Sequence, residues 1–134
     1  MSCICTQLAA ELTGTFDGGG DVEFSAGQIA RYPFNLLVVS PADGSDNNVN
    51  YTFPTGADIT TKLGWLEKDF ENYSGWLIRV LNKSATNTAT LLPNTGIDVD
   101  SATPVIQPQT FRDYIIDWWG DDSFSVIDAG SGNV

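Results

Sequence analysis

Apolar and polar residues alternate along this chain in short runs, broken repeatedly by Gly, Pro, Asn and Asp. Phe34-Asn35-Leu36-Leu37-Val38-Val39-Ser40 is aliphatic and β-branched and is closed by Pro41, which predicts a strand. Its apolar residues are consecutive, so cover on both faces is expected. Val49-Asn50-Tyr51-Thr52-Phe53 alternates with period two, the pattern of a half-buried strand. Trp76-Leu77-Ile78-Arg79-Val80-Leu81 and Thr88-Ala89-Thr90-Leu91-Leu92 flank a polar turn at 82–87 and predict a hairpin. Pro93-Asn94-Thr95-Gly96 reads as a turn, after which Ile97 and Val99 alternate with Asp98 and Asp100. Pro104-Val105-Ile106-Gln107-Pro108 predicts an edge strand, because proline removes a ladder donor. Thr110 to Trp119 is the longest strand expected. It carries Arg112, Tyr114, Ile116 and Trp118 on one face and Phe111, Asp113, Ile115, Asp117 and Trp119 on the other. Gly120-Asp121-Asp122 turns the chain and Phe124-Ser125-Val126-Ile127 returns it.

Helical signals are few. Thr55 to Leu63 follows Pro54, has Thr55 as a capping residue and Asp58 three positions on, and places Ile59, Leu63 and Leu66 at helical spacing. Gly64 ends it. A weaker signal over Leu8 to Leu12 predicts a helical turn. Gly18-Gly19-Gly20 between Asp17 and Asp21 is a loop, with a short strand at Val22-Glu23-Phe24. Together these elements predict one all-β domain over 1–134, a β-sandwich or jelly-roll-like barrel with one short helix near residues 55–64. Residues 1–20 are expected to be an N-terminal docking arm, and the Gly/Ser-rich residues 129–134 a flexible tail.

One echo runs through the pattern. Leu36-Leu37-Val38-Val39-Ser40 leads through a polar loop to Tyr51-Thr52-Phe53-Pro54-Thr55-Gly56. Leu77-Ile78-Arg79-Val80-Leu81 leads likewise to Thr90-Leu91-Leu92-Pro93-Asn94-Thr95-Gly96. A duplication and the ordinary grammar of hairpins both produce such an echo.

Composition narrows function. A chain of 134 residues with 42% hydrophobic residues can build a core without a metal or disulfide staple. Six basic and seventeen acidic residues give a net charge of −11, which offers no field to nucleic acid or to an anionic membrane. With no histidine, Ser-His-Asp and Cys-His catalysis and histidine-based metal sites are excluded. No apolar run reaches the roughly 18 residues of a membrane span, and the start lacks the basic region of a secretory signal. Cys3 and Cys5 are one residue apart, too close for an unstrained disulfide and too few for zinc, and read as reduced thiols. The Asn-X-Ser/Thr triplets at Asn50, Asn72 and Asn82 read as chance occurrences.

Candidate chemistry is confined to carboxylates and tryptophans. Asp98 with Asp100, and Asp113 with Asp117, share strand faces as a hydrolase pair would, but in so acidic a chain solvated carboxylates are the expectation. Asp43, Ser45 and Asn47 start like a calcium loop, yet Asn48 and Pro54 stand where its Gly and Glu belong, which leaves only a loose calcium site of loop carboxylates as a minor alternative. Gly18-Gly19-Gly20 lacks the strand and lysine of a phosphate loop. Trp118 and Trp119 are neighbours on one strand and point to opposite faces. If one meets the core, the other meets solvent or a partner. A subunit contact is the leading reading, and a sugar-stacking platform or a sheet covered on both faces the others. Trp65 and Phe70 form a second candidate contact.

From Pro54 onward the order of motifs resembles a known group. Phe53-Pro54-Thr55-Gly56-Ala57 precedes a short helix, then Trp76 to Ser84, Asn87-Thr88-Ala89-Thr90-Leu91 and Asn94-Thr95-Gly96-Ile97-Asp98-Val99. Ile106-Gln107-Pro108, Phe111-Arg112-Asp113-Tyr114 and a last hairpin complete it. This resembles the small β-rich domains on the virion surface of tailed phages and large DNA viruses, found in head-decoration and in fibre or spike proteins. The resemblance implies a non-enzymatic structural protein, made in the host cytoplasm, that binds the outside of the capsid as a decoration or cement protein. Its expected partners are the major capsid protein or other virion subunits, and copies of itself, with a trimer favoured. No cofactor, metal, nucleic acid or membrane is expected. The other reading is a fibre, spike, receptor-binding or carbohydrate-binding module.

Overall fold

The computed structural model describes residues 11–16, 20–30, 34–45, 47–62, 75–99 and 104–133. The strands are β1 (Glu11–Phe16), β2 (Gly20–Glu23), β3 (Phe34–Pro41), β4 (Val49–Thr52), β5 (Trp76–Asn82), β6 (Ala89–Leu92), β7 (Ile97–Val99), β8 (Val105–Ile106), β9 (Thr110–Gly120) and β10 (Ser123–Asn133). Two short helices, α1 (Ala26–Ile29) and α2 (Gly56–Lys62), interrupt them. The protein is mostly β, built from two mixed sheets packed together. The larger runs β1-β3-β5-β9-β10-β7 and the smaller β2-β4-β6-β8.

The strand order exposes a coil. The chain lays β1 in the large sheet and β2 in the small one, then returns through α1 to place β3 beside β1. β4 then joins β2, and α2 leads to β5 beside β3. Every ladder within this coil is parallel, with Phe34 opposite Leu77 and Val49 opposite Ala89. The two helices occupy the same stage of successive coils and pack together. β9 closes the large sheet antiparallel to β5 and pairs with β10 in a long ribbon, while β8 closes the small sheet antiparallel to β6.

Local chemistry explains each corner. Ser25 caps α1 in a capping box: its Oγ accepts from Gln28 N, and its own N donates to Gln28 Oε1 at 2.8 Å. The last carbonyls of α1 find core-facing donors, Gln28 O from Asn35 Nδ2 and Ile29 O from the buried Trp76 Nε1 at 3.2 Å. Thr55 Oγ1 accepts from Asp58 N at 3.1 Å at the start of α2. The loops after β3 and β5 lie one on the other. Asp43 Oδ1 accepts from Ala85 N at 2.8 Å, and Asn87 Nδ2 donates to the carbonyls of Ala42 and Gly44, each at 2.7 Å.

One hydrophobic core lies between the sheets. Leu37, Val39, Trp76, Ile78, Val80, Tyr114, Ile116, Phe124 and Val126 of the large sheet meet Val49, Tyr51, Ala89, Leu91 and Ile106 of the small one. Ile29 and Ile59 seal it from the helices. Phe24 stacks on Tyr51 with ring centroids 5.4 Å apart.

Several expectations change. No barrel closes among the described residues: β1 and β7 are free edges of one sheet, β2 and β8 of the other. The jelly-roll alternative also fails, because a jelly roll is antiparallel and this coil is parallel. The expected helix forms as Gly56–Lys62, but α1 is a second one, hidden from periodicity by its four residues. β5 and β6 do not make a hairpin. The buried Asn82 side chain donates to Asn87 O at 2.9 Å and to Ile106 O at 3.0 Å, turning the chain from one sheet into the other. The helical turn expected at Leu8–Leu12 is strand from Glu11 on, and its earlier part lies outside the described residues. Within the expected docking arm, 11–16 form the edge strand β1 and Gly20 opens β2, while 1–10 and 17–19 lie outside the described residues. The Gly/Ser stretch from Ala129, expected as a flexible tail, continues β10 as far as Asn133, opposite Thr110. The two halves of the sequence echo occupy consecutive coils, strand on strand. Each coil needs the same succession of strand, polar corner, strand and capped turn.

Candidate docking face

The large sheet has a second face, turned away from the core. The pleat sends alternate residues there, and the registers align them in rows. One row runs Phe34, Leu77, Ile115, Ile127, apolar across four strands and half-buried. The next runs Leu36, Arg79, Asp113. On the other side of the apolar row lie Asp117, Ser125 and Asp98. Trp119 stands beyond Asp117 on the same face of β9.

Within this face Arg79 is held by Asp113 through two parallel hydrogen bonds, Nε to Oδ1 at 2.7 Å and Nη2 to Oδ2 at 2.9 Å. Its guanidinium carbon lies 3.9 Å from the centre of the Phe111 ring. The hydrogen bond to Asp113 raises the Arg79 pKa further above its ordinary value. A second pair, Arg112 Nη1 with Asp128 Oδ2 at 2.6 Å, ties β9 to β10.

The tryptophans divide as their alternation requires. Trp118 packs against the core and donates its indole N–H to Asp121 O at 2.9 Å. Trp119 is 69% exposed, the one exposed large hydrophobic side chain among the residues whose burial is described. It lines a shallow groove of about 440 Å³ with Gly96, Ile97, Asp98, Ser123, Phe124 and Ser125. Trp65 and Phe70 lie outside the described residues, as does Asp100.

The carboxylates read as a hydrolase pair are separated by their duties. Asp113 is engaged with Arg79, whereas Asp117 lies one row beyond the apolar strip. Asp43 clamps the stacked loops through Ser84 Oγ and Ala85 N. Among the described residues no group of three or more His, Cys, Asp or Glu side chains is gathered as a metal site. Among them too, no helix is long and apolar enough to cross a membrane.

Sequence reasoning missed the Arg79–Asp113–Phe111 cluster and the alignment of Asp98 with Asp117. Both depend on strand order, and Asp98 joins Asp117 only because β10 lies between β7 and β9. The spacing of Phe111 to Asp113 and of Asp117 to Trp119 was the available signal: an aromatic and an acid two apart share a face.

Comparison with protein-family models, with curated proteins and with solved structures returns no match.

Proposed function

We propose that this chain is a non-enzymatic structural protein of a virion, a two-layer β-sandwich that docks on the outer capsid surface as a decoration or cement protein. The observation that carries the reading is Trp119, a large indole left 69% exposed, while Phe24, Tyr51, Phe53, Trp76, Tyr114 and Phe124 are buried. The apolar row Phe34, Leu77, Ile115 and Ile127 on the same face supports it, since a sheet face with such a row suits contact with another protein surface. A net charge of −11 keeps such a protein off the packaged nucleic acid. The order of β motifs from Pro54 onward, which resembles that of virion-surface domains, supports a virion subunit as the partner. Many copies on one shell hold firmly through individually weak contacts. Closed symmetry is the rule for self-association, and a trimer fits the symmetry points of a shell.

The test is size-exclusion chromatography with light scattering, on the protein alone and mixed with expanded empty capsids of the source virus. Co-elution with capsids, lost in Trp119→Ala, is the expected result. A chain that ignores capsids overturns the reading and leaves the fibre, spike or glycan-binding alternative.

A further inference from the structure

We propose that the groove beside Trp119 receives an arginine side chain of the docking partner, stacked on the indole and paired with Asp98 and Asp117. This identifies the chemistry of the contact and rests on the docking reading above.

A filled counterpart lies at the opposite end of β9. There Phe111 and Asp113, two residues apart on the outer face, hold the Arg79 guanidinium between ring and carboxylate. At the Trp119 end the same strand repeats the arrangement in reverse, with Asp117 and then Trp119. On the β5 side the neighbour of Asp113 is Arg79, whereas Asp117 lies beyond the end of the β5 ladder and its neighbour, on β10, is Ser125. Ser125 in turn stands opposite Asp98 on β7, so a second carboxylate flanks the same position. Among the described residues neither Asp98 nor Asp117 forms an ion pair. The face therefore carries two aromatic–carboxylate sites, one filled by the chain's own arginine and one filled by no cation among the described residues.

Charge complementarity chooses the occupant. Indole is the best of the aromatic faces for a cation, and two carboxylates add attraction that a neutral sugar would not use. The Ser123 and Ser125 hydroxyls lining the groove can accept the remaining guanidinium N–H groups. A planar guanidinium suits the site better than an ammonium, because it can stack and pair at once.

The probe is N-acetyl-L-arginine amide, titrated into the ¹⁵N-labelled protein while the Trp119 indole N–H is followed by NMR. The controls are the citrulline analogue, which is isosteric and neutral, and methyl β-glucoside. The expected result is a saturable shift with the arginine compound in the millimolar range. The citrulline compound should give at least a fivefold weaker response. Asp98→Asn should weaken binding at least threefold, and Trp119→Phe should weaken it less than Trp119→Ala does. Both side chains are exposed, so an unchanged spread of backbone resonances certifies the folded variants. An equal response to citrulline, a stronger one to the glucoside, or no response overturns the proposal. Capsid binding by a chain that ignores the arginine compound defeats this inference alone. Arginine binding by a chain that ignores capsids defeats the docking reading alone.

Discussion

Gly56 and Gly96 meet backbone to backbone where the second coil turns against the third. Gly56 N donates to Thr95 O at 2.9 Å, and a side chain at Gly96 would lie 3.3 Å from Gly56 Cα. The carbonyl of Asp122, in the turn of the long ribbon, presses on both: a Cβ on Gly56 would stand 1.7 Å from it and one on Gly96 2.3 Å. Gly96 also adopts φ +80°. This contact joins the coil to the ribbon, and no side chain fits between them. Gly56→Ala is expected to cost roughly 3 kcal/mol or more, since backbone must move to admit a methyl group. Urea denaturation followed by tryptophan fluorescence measures it, and a loss below about 1 kcal/mol would refute the close-packing argument.

Asn82 supports the other corner. It is fully buried, and its amide satisfies Asn87 O, Ile106 O and Ser84 N together. Asn82→Ala leaves three buried backbone groups without partners, for an expected loss of about 3 kcal/mol. Asn82→Asp keeps the acceptor and loses both donated bonds, and is expected to be no better. Denaturation midpoints of the two variants decide the matter.

The Arg79–Asp113 pair is expected to matter far less to stability. The Arg79 side chain is 38% exposed, so water and salt screen the attraction despite good geometry. A double-mutant cycle with Arg79→Met and Asp113→Asn should give a coupling of about 0.5–1 kcal/mol, falling in 1 M salt. A coupling above about 2 kcal/mol would show that the outer face is drier than its exposure implies.

Tyr114 supplies a pH test. Burial pushes its phenol up to about 12, with Arg112 opposing and Asp128 adding to the effect. Burial likewise pushes Tyr51 upward. A folded-state value above the unfolded one near 10 means the folded form binds the proton more tightly. The stability it contributes is complete below about pH 10 and is lost as pH rises through the folded value. The Tyr114 hydroxyl has no hydrogen-bond partner among the described residues. Tyr114→Phe is therefore expected to fold at neutral pH with stability unchanged or raised by about 1 kcal/mol. It should also unfold less steeply between pH 10 and 12 in thermal melts.

Trp118 and Trp119 should separate stability from binding. Trp118 packs on the core, and its loss to Ala is expected to cost about 3 kcal/mol. Trp119→Ala should change stability by less than about 0.5 kcal/mol while abolishing the docking proposed above. Thermal melts beside capsid co-elution make the comparison. Equal destabilisation by both would mean that Trp119 is structural.

The strands were legible wherever burial leaves a local mark. β3, β4, β5 and β9 follow the runs and alternations of Phe34–Ser40, Val49–Phe53, Trp76–Leu81 and Thr110–Trp119, and the edge position of β8 follows from its flanking prolines. What stayed hidden was which strand lies beside which. The polar stretch between Leu81 and Thr88 looks the same whether it makes a hairpin or a corner between sheets, and only the burial of Asn82 and Asn87 distinguishes them. A parallel neighbour such as β3 for β5 leaves no turn in the sequence to announce it. For the candidate site, the opposite facing of Trp118 and Trp119 could be read from alternation alone, but the Asp98–Ser125–Asp117 row required the strand order.

The coil also dictates when its parts can form. β9 and β10 are the one pair of consecutive strands joined in a ladder among the described residues, across the turn at Asp121 and Asp122. Every parallel ladder of the coil instead waits for distant segments to meet. Phe34 and Leu77, for instance, are separated by roughly 40 residues, so loop-closure entropy opposes each such encounter. Loop closure predicts that the ribbon forms first, that β5 docks on it, and that β3 and then β1 add in the reverse of their order along the chain. The ribbon is thus the expected starting point of folding among the described residues, and the coil is expected to be assembled backwards onto it.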